Sequence, residues 1–358
     1  MDLYIYNEAI ELAGICDTYI SLIWVQRYHS AGSFEVYAPY TEKNIDLLKP
    51  QRFIYRHDCD EGMYIATVEE SIDSDNGKCI RASGYGIEGI LRKRVIDKAS
   101  VAIRILPTIS HYLKKYPLVN LEISNIDPLD TIEVKTDSFV GETLETFIYG
   151  AMHTSGRDLS YRIVLDHDNR KLELILYNGA DISSDVIFSD EFGNVNEMMY
   201  SYSEEGCANV IICLCNPPES GVEYSVLPEY TLGEKSGLSR NERILFVDPV
   251  VSTGYRLVGE DIVEYRYLDI SKTLNDMRDA AASELQEFTE NLSVKVVSDG
   301  YRTKWNVGDI VTVRNELRKT SYKKRIEEVE ECFSMTGLSI SPTFGEPLKT
   351  ILDAIGGK

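Results

Sequence analysis

Gly84-Tyr85-Gly86-Ile87-Glu88-Gly89 spells G-x-G-x-x-G. That spacing lets a backbone approach a pyrophosphate at the start of a helix. A strand pattern precedes it and a helix is expected over residues 87–94. A dinucleotide site also needs a second parallel strand, ending about 20 residues on in an acid that binds the ribose. That stretch reads Val101-Ala102-Ile103-Arg104-Ile105-Leu106-Pro107-Thr108 and offers no acid. The strand before the glycines also belongs to an antiparallel hairpin. The glycines are therefore read as a turn between a strand and a short helix, and no cofactor is expected.

Metal chemistry has three candidates. Cys213 and Cys215 alternate along a strand, so both face one side, and Cys207 is close in sequence. Structural zinc sites show paired C-x-x-C or Cys/His spacing, which is absent here. The cysteines read as buried strand residues. His57-Asp58-Cys59-Asp60-Glu61 and Asp166-His167-Asp168 mix ligand types, but both fall between strands, where Asp side chains make turns. No metal is expected.

Signatures of hydrolysis are missing: there is no G-x-S-x-G, no H-E-x-x-H and no Walker A sequence. His29, His57, His111, His153 and His167 are scattered. The abundant acids leave a two-carboxylate hydrolase open, but no spacing selects a pair. No catalytic, cofactor-binding or metal-binding residue is assigned, and the chain is not expected to be an enzyme. Arg314, Arg318, Lys319, Lys323, Lys324 and Arg325 form a basic patch. It reads as the solvated face of a terminal hairpin, or as a contact with an acidic neighbouring subunit.

The elements that would carry these residues are mostly β, which makes the fold class α+β and predominantly β. Residues 17–28 are rich in Ile, Trp, Val and Tyr, and Phe34, Val36 and Ala38 alternate with Glu35 and Tyr37. Runs 63–72 and 78–83 flank Asp75-Asn76-Gly77, whose Asn-Gly suits a type I′ turn. A short helix is expected from Thr41 to Lys49, stopped by Pro50. Residues 100–130 give no clear pattern. A small α/β unit follows: a strand near 132–135, a helix over 141–151, then strands 160–165 and 171–177. β character returns over 195–263, broken by a loop around Pro217-Pro218. A long helix is expected over 273–290, with Leu274, Met277, Ala281, Leu285 and Phe288 in one stripe. Strands 294–297, 310–313, 326–329 and 338–340 close the chain.

The 358 residues carry a formal net charge of −21. So acidic a surface repels nucleic acid and anionic membranes, though it suits a passage through which DNA slides. No run of about 18 apolar residues suggests a membrane span, and the N-terminus is not expected to be a secretory signal. Seven cysteines, Cys16, Cys59, Cys79, Cys207, Cys213, Cys215 and Cys332, are odd in number and irregular in spacing, unlike a disulfide framework.

Four stretches carry a resemblance. The first runs from Tyr19-Ile20-Ser21-Leu22-Ile23-Trp24 to Tyr37-Ala38-Pro39 and the second from Ala82-Ser83-Gly84-Tyr85 to Leu91-Arg92-Lys93-Arg94. The third joins residues 172–177 to Asn178-Gly179-Ala180-Asp181, Val186-Ile187-Phe188-Ser189 and Gly193-Asn194. The last is Trp305-Asn306-Val307-Gly308-Asp309-Ile310-Val311-Thr312-Val313, with Pro342-Thr343-Phe344-Gly345. In this order, nearly end to end, they resemble the siphophage ReqiPepy-type tail protein family, related to the tail-tip or baseplate hub and to the N-terminal part of tail-associated lysins. The resemblance brings no catalytic residue.

It implies a tail-hub-like fold of two β-barrel domains with smaller α/β domains. The expected division is a first barrel with a helical element over 1–130, an α/β insert over 131–200, the first part of a second barrel over 201–268, and a helix with the completing strands over 269–358. It further implies a structural virion protein of the bacteriophage tail: a homotrimeric ring joining a six-fold tube to three-fold tip parts around the DNA ejection channel. Implied partners are the distal tail protein, the tape-measure protein and tip or receptor-binding proteins, with DNA passing unbound. A contractile tail or a tail-derived bacteriocin would use a similar hub. The alternatives are a tail-associated cell-wall hydrolase and a host-glycan-binding module. The hydrolase is disfavoured because only thirteen residues follow Gly345. The glycan module rests on 23 tyrosines, most within strand patterns where they pack.

Overall fold

Period-two burial organises the first hundred residues. In β3 (Ser21–Arg27) and β4 (Ser33–Pro39), Leu22, Trp24, Phe34, Val36 and Ala38 turn inward, and Glu35 and Tyr37 turn out. The computed structural model describes residues 2–73, 77–98, 104–118, 121–123, 139–154, 159–166, 169–215, 226–259, 261–296, 300–316, 318–335 and 337–344. Before β3 come β1 (Leu3–Tyr6) and β2 (Leu12–Cys16). After β4 comes α1 (Glu42–Leu47), capped by the Thr41 hydroxyl, which accepts from the Asn44 N–H at 3.2 Å. β5 (Phe53–Arg56), β6 (Gly62–Asp73) and β7 (Gly77–Gly86) follow. The hairpin expected around Asp75-Asn76-Gly77 is present as β6 paired with β7; Asp75 and Asn76, on which the expected turn type depends, lie outside the described residues.

Alternation splits this sheet between two cores. Ile54, Met63 and Ile65 join Leu3, Trp24 and Val36 on one side. Phe53, Tyr55 and Tyr64 point the other way, into a core built with helices. That second core receives a 3-10 turn at Ile87–Lys93, α2 (Ile105–Lys115) and α3 (Leu144–Thr154). α2 lies where the sequence pattern was unreadable. It places Ile105, Ile109 and Tyr112 on one buried face and tolerates Pro107 in its first turn, where no i−4 hydrogen bond is lost. β8 (Leu121–Ile123), β9 (Ser160–Asp166) and β10 (Lys171–Tyr177) form a small sheet, β10 running parallel to β8 and antiparallel to β9. The strand expected near 132–135 lies outside the described residues.

Next come β11 (Ile187–Phe188), β12 (Val195–Ser203), β13 (Val210–Cys215), β14 (Val226–Thr231), β15 (Glu242–Val247), β16 (Val251–Val258) and β17 (Asp261–Leu268). Then α4 (Ile270–Glu284), β18 (Thr289–Val296), β19 (Ile310–Asn315), β20 (Thr320–Ser334) and β21 (Gly337–Phe344) end the described chain. α4 starts three residues before expectation because Asp269 caps it, accepting from the Lys272 N–H. It ends earlier than expected because the Gln286 N–H is drawn to the Ala208 carbonyl. Phe288 therefore leaves the helical stripe and stacks on Tyr202, with ring centroids 4.2 Å apart.

The chain divides into two compact units, one of Met1–Met199 with Leu292–Lys358 and one of Tyr200–Asn291. In the first, the N- and C-terminal strands share one sheet. Its path is β12-β18-β21-β20-β3-β4-β7-β6-β5-β1-β2, with β19 beside β20 and β11 beside β19. β20 pairs with β3 from Glu328↔Arg27 to Phe333↔Leu22. Among the described residues this path stays open and does not close into the implied barrels. In the second unit, β13 lies between antiparallel β14 and parallel β15. α4 covers that sheet, packing Met277 and Ala281 on Ala208, Ile211 and Cys213. Among the described residues no helix is long and apolar enough to cross a membrane.

Candidate functional site

Where β5 and the following turn meet β9 and β20, six charged residues interlock. Arg56 on β5 donates to Glu331 Oε2 at 2.7 Å and Oε1 at 3.0 Å, and to both oxygens of Asp58, at 2.9 and 2.6 Å. Arg302 donates to Glu331 Oε2 at 2.8 Å and to Glu61 Oε2 at 3.0 Å. Arg162 on β9 takes the other Glu61 oxygen, also at 3.0 Å. Burial opposes the charge on Glu61, but Arg302 and Arg162 hold its carboxyl below the ordinary range. Beside them, the Tyr301 hydroxyl donates to Gln26 at 2.7 Å. The bidentate Arg56–Glu331 pair, the strong form of charge-assisted bond, joins strands from the two ends of the chain, and the single Arg162–Glu61 bond adds the small α/β sheet.

Asp58, Glu61, Arg162 and Arg302 of this network line a cleft of about 590 Å³, which Glu88, Tyr149, Tyr161 and Asp309 also border. Burial pushes the Glu88 carboxyl up to about 7, and its Oε1 accepts from the Ile163 N–H at 3.0 Å. A raised acid near an ionised one is the pattern of acid–base catalysis. Here both oxygens of Glu61 are occupied by arginines, so it is not available as a base. Cys59 is no nucleophile either: burial pushes its thiol up to about 12. What the cleft's charged groups do is hold three segments together.

The G-x-G-x-x-G glycines have a packing role. A Cβ on Gly84 would overlap the Tyr64 carbonyl, one on Gly86 would meet the Glu88 carboxylate, and one on Gly89 would strike the Tyr85 ring. β7 pairs antiparallel with both β4 and β6, so no βαβ crossover exists to cradle a pyrophosphate.

The stretches that carried the family resemblance converge beside the cleft. The Tyr28 hydroxyl donates to Asn178 Oδ1 at 3.4 Å. Its ring meets Tyr177 edge-on, with centroids 5.2 Å apart, and lies 4.7 Å from the Arg325 guanidinium. Asp309 accepts from the N–H groups of Ala180, at 2.9 Å, and Asn306, at 2.8 Å. A Cβ on Gly179 would overlap the Gly308 carbonyl, and Gly308 itself, at φ +91°, lies under the Tyr28 ring.

The other singled-out residues are dispersed. Cys213 is buried in the second unit with Cys215 against the same core, and Cys207 is buried separately. No cluster of three metal-ligating side chains occurs among the described residues. Asp166 accepts from the Asn169 backbone at 3.0 Å and side chain at 2.7 Å, as a turn residue should. His29 contacts Glu327 at 3.1 Å, His57 borders the cleft, and His111 packs on Tyr112. The His153 side chain, His167 and Asp168 lie outside what the structure describes. The basic patch divides: Arg318 and Lys319 are exposed at the β19–β20 turn, Lys323 pairs with Asp181 at 2.9 Å, and Arg325 turns inward to the Gly308 carbonyl. The turn at 57–61 was read as local turn chemistry. Two of its acids, Asp58 and Glu61, also accept from arginines on other segments or strands of the network. The excess of Arg and Glu at positions far apart in sequence gave no signal of that.

The sequence matches the family described as Siphovirus ReqiPepy6 Gp37-like protein over residues 2–113 and 151–346. The chain belongs to this family. No curated protein sequence matches it significantly. Solved structures share its fold from end to end at low identity. The 43 kDa tail protein of prophage MuSo2 from Shewanella oneidensis has a TM-score of 0.58 at 11% identity, covering 97% of this chain and 99% of that one. A tail protein from Neisseria meningitidis MC58 has a TM-score of 0.57 at 12% identity, with 96% of each chain covered. A chain of the phage P2 baseplate in its activated conformation has a TM-score of 0.50 at 8% identity, covering 96% of this chain and 98% of that one. The ReqiPepy6 Gp37-like chain therefore has the mostly β fold of phage tail proteins.

Proposed function

We propose that this protein is the hub of a phage tail tip, a virion structural protein and not an enzyme. Three copies form a ring that joins the six-fold tail tube to three-fold tip components and surrounds the channel for DNA. The observation that carries this reading is fold similarity running the whole length of both chains, to tail proteins and to a baseplate chain.

In this reading each subunit contributes two barrels, and two barrels in each of three subunits supply six quasi-equivalent positions under the tube. The Arg56, Arg162 and Arg302 ion pairs brace the first compact unit, in which all of them lie. The charge of −21 on every copy keeps DNA from adhering to the ring. The distal tail protein lies above, the tape-measure protein within, and tip or receptor-binding proteins below. Cryo-electron microscopy of tails containing the protein tests the proposal: density for three copies at the tube end is expected. A ring of other symmetry, or a cleared band when the pure protein is run on a cell-wall zymogram, would overturn it.

A further inference from the structure

The hairpin of β16 and β17 has no packed face. It is a two-stranded sheet with full register from Val251↔Leu268 to Val258↔Asp261, and no other described strand pairs with either outer edge. Every residue from Tyr255 to Gly259 and from Ile262 to Tyr267 is exposed, so both faces meet solvent. Tyr255 is 68% exposed, and Leu257 and Ile262 are each 73% exposed. The root is not loose. Asp269, the cap of α4, donates its N–H to the Val250 carbonyl at 2.8 Å and accepts from the Ser252 hydroxyl at 3.0 Å. The Val250 N–H is held by Thr273 at 3.0 Å. Eight residues per strand span roughly 27 Å.

A lone hairpin is marginal in water, and long apolar edges invite pairing. Some partner must therefore cover this element. Its two edges differ in charge. β16 carries Arg256 as its one charged residue; β17 carries Asp261, Glu264 and Arg266, for a net −1. Like edges repel when brought together, whereas unlike edges attract. An interface between two unlike surfaces of one chain is heterologous, and closes into a ring when its rotation completes a full turn. Elsewhere a second copy of a chain with net charge −21 is repelled.

We propose that this hairpin is the self-association element: the β16 edge of one copy pairs with the β17 edge of the next. This rests on the ring reading above and names the surface that closes it. The apolar side chains on both faces become covered as the edges join.

The test measures oligomeric mass of the full chain over a concentration series, with circular dichroism as the fold control. Leu257→Glu with Ile262→Glu, both at exposed positions, should raise the concentration needed for trimer by about tenfold or more, which corresponds to about 1.4 kcal/mol, and leave the spectrum unchanged. Arg256→Glu should weaken assembly and Arg256→Glu with Glu264→Arg should restore it, because the swap exchanges the signs of the two edges. If the wild-type chain trimerises and the Leu257/Ile262 variant does so equally well, the hairpin serves another tail protein; the inference falls while the ring reading stands. If the wild type stays monomeric at every concentration, self-pairing is overturned together with spontaneous ring closure.

Discussion

Arg56 and Glu331 stand 275 positions apart in sequence and share two hydrogen bonds, at 2.7 and 3.0 Å, with side-chain exposures of 0% and 4%. One residue lies on an N-terminal strand, the other on a C-terminal one. Glu331 also holds Arg302, which holds Glu61, which holds Arg162. The network ties the terminal strands to the α/β sheet at the point where β20 joins β3. The Arg56 guanidinium also lies 4.7 Å from the Phe333 ring centroid and 5.3 Å from that of Trp24, so both its polar rim and its flat faces are used.

Removing one partner of such a pair leaves a buried charge uncompensated. Arg56→Met should destabilise the chain by about 3 kcal/mol, since it leaves the buried Glu331 with Arg302 alone and takes the partner from Asp58. Lys43→Ala removes a pair whose members are both about half exposed, Lys43 with Asp17, and should leave stability unchanged because solvent screens it. Urea midpoints of the two variants check this; similar losses in both would mean that the buried network has no special weight.

Gly179 and Gly308 allow two chain segments to touch at the backbone. Gly179→Ala puts a methyl group into the Gly308 carbonyl, and neither backbone can yield without moving Asp309 from the Ala180 N–H. The expected loss is about 3 kcal/mol or more. Gly193 has a positive φ of +64° but open space around it, so Gly193→Ala should cost only about 1 kcal/mol, the backbone penalty alone. Thermal melts of both variants separate steric contact from conformational preference.

Glu88 should give stability a measurable pH slope. Its carboxyl is pushed up to about 7 by burial, against an ordinary value of 4.5. Between those values the unfolded chain releases a proton that the folded chain keeps. Ionisation therefore favours unfolding, and this contribution to stability is lost as pH rises through about 7. Below 4.5 both states hold the proton and nothing is lost. Glu88→Gln keeps an oxygen that can accept from Ile163 and removes the charge. The variant should match the wild type near pH 4 and exceed it near pH 8 by on the order of 2–3 kcal/mol. Equal urea midpoints at both pH values would mean that the carboxyl is solvated.

Local pattern was readable in this sequence wherever one face of an element is buried. The alternation at Phe34, Val36 and Ala38, a short helix after Thr41 and the α4 stripe through Leu274, Met277 and Ala281 all appear as read. Two kinds of feature were not readable. α2 has its buried face at Ile105, Ile109 and Tyr112 and carries Pro107 in its first turn, within a stretch of sequence that gives no clear pattern. The ion network is spread over Arg56, Glu61, Arg162, Arg302 and Glu331, and no local rule links positions so far apart. Asp58 and Glu61 resemble turn residues in sequence because their arginines lie on other strands. Sheet connectivity was hidden for the same reason: nothing in residues 21–27 reveals that 328–333 pair with them.

Cys213 distinguishes packing from metal chemistry in the second unit. Burial raises its thiol and that of Cys215, and no cluster of three metal-ligating side chains occurs among the described residues. Cys213 Sγ instead lies 3.8 Å from the Met277 carbonyl, between β13 and α4. As a small apolar filler it should tolerate Val, lose about 1 kcal/mol on change to Ala through the cavity left behind, and lose more on change to Ser, which brings a hydroxyl into the core. Excess chelator should leave the melting temperature of the wild-type chain unchanged. A bound metal would reverse that order, making Val as damaging as Ala and the melt sensitive to chelator, and calorimetry on the three variants with and without chelator decides between the two.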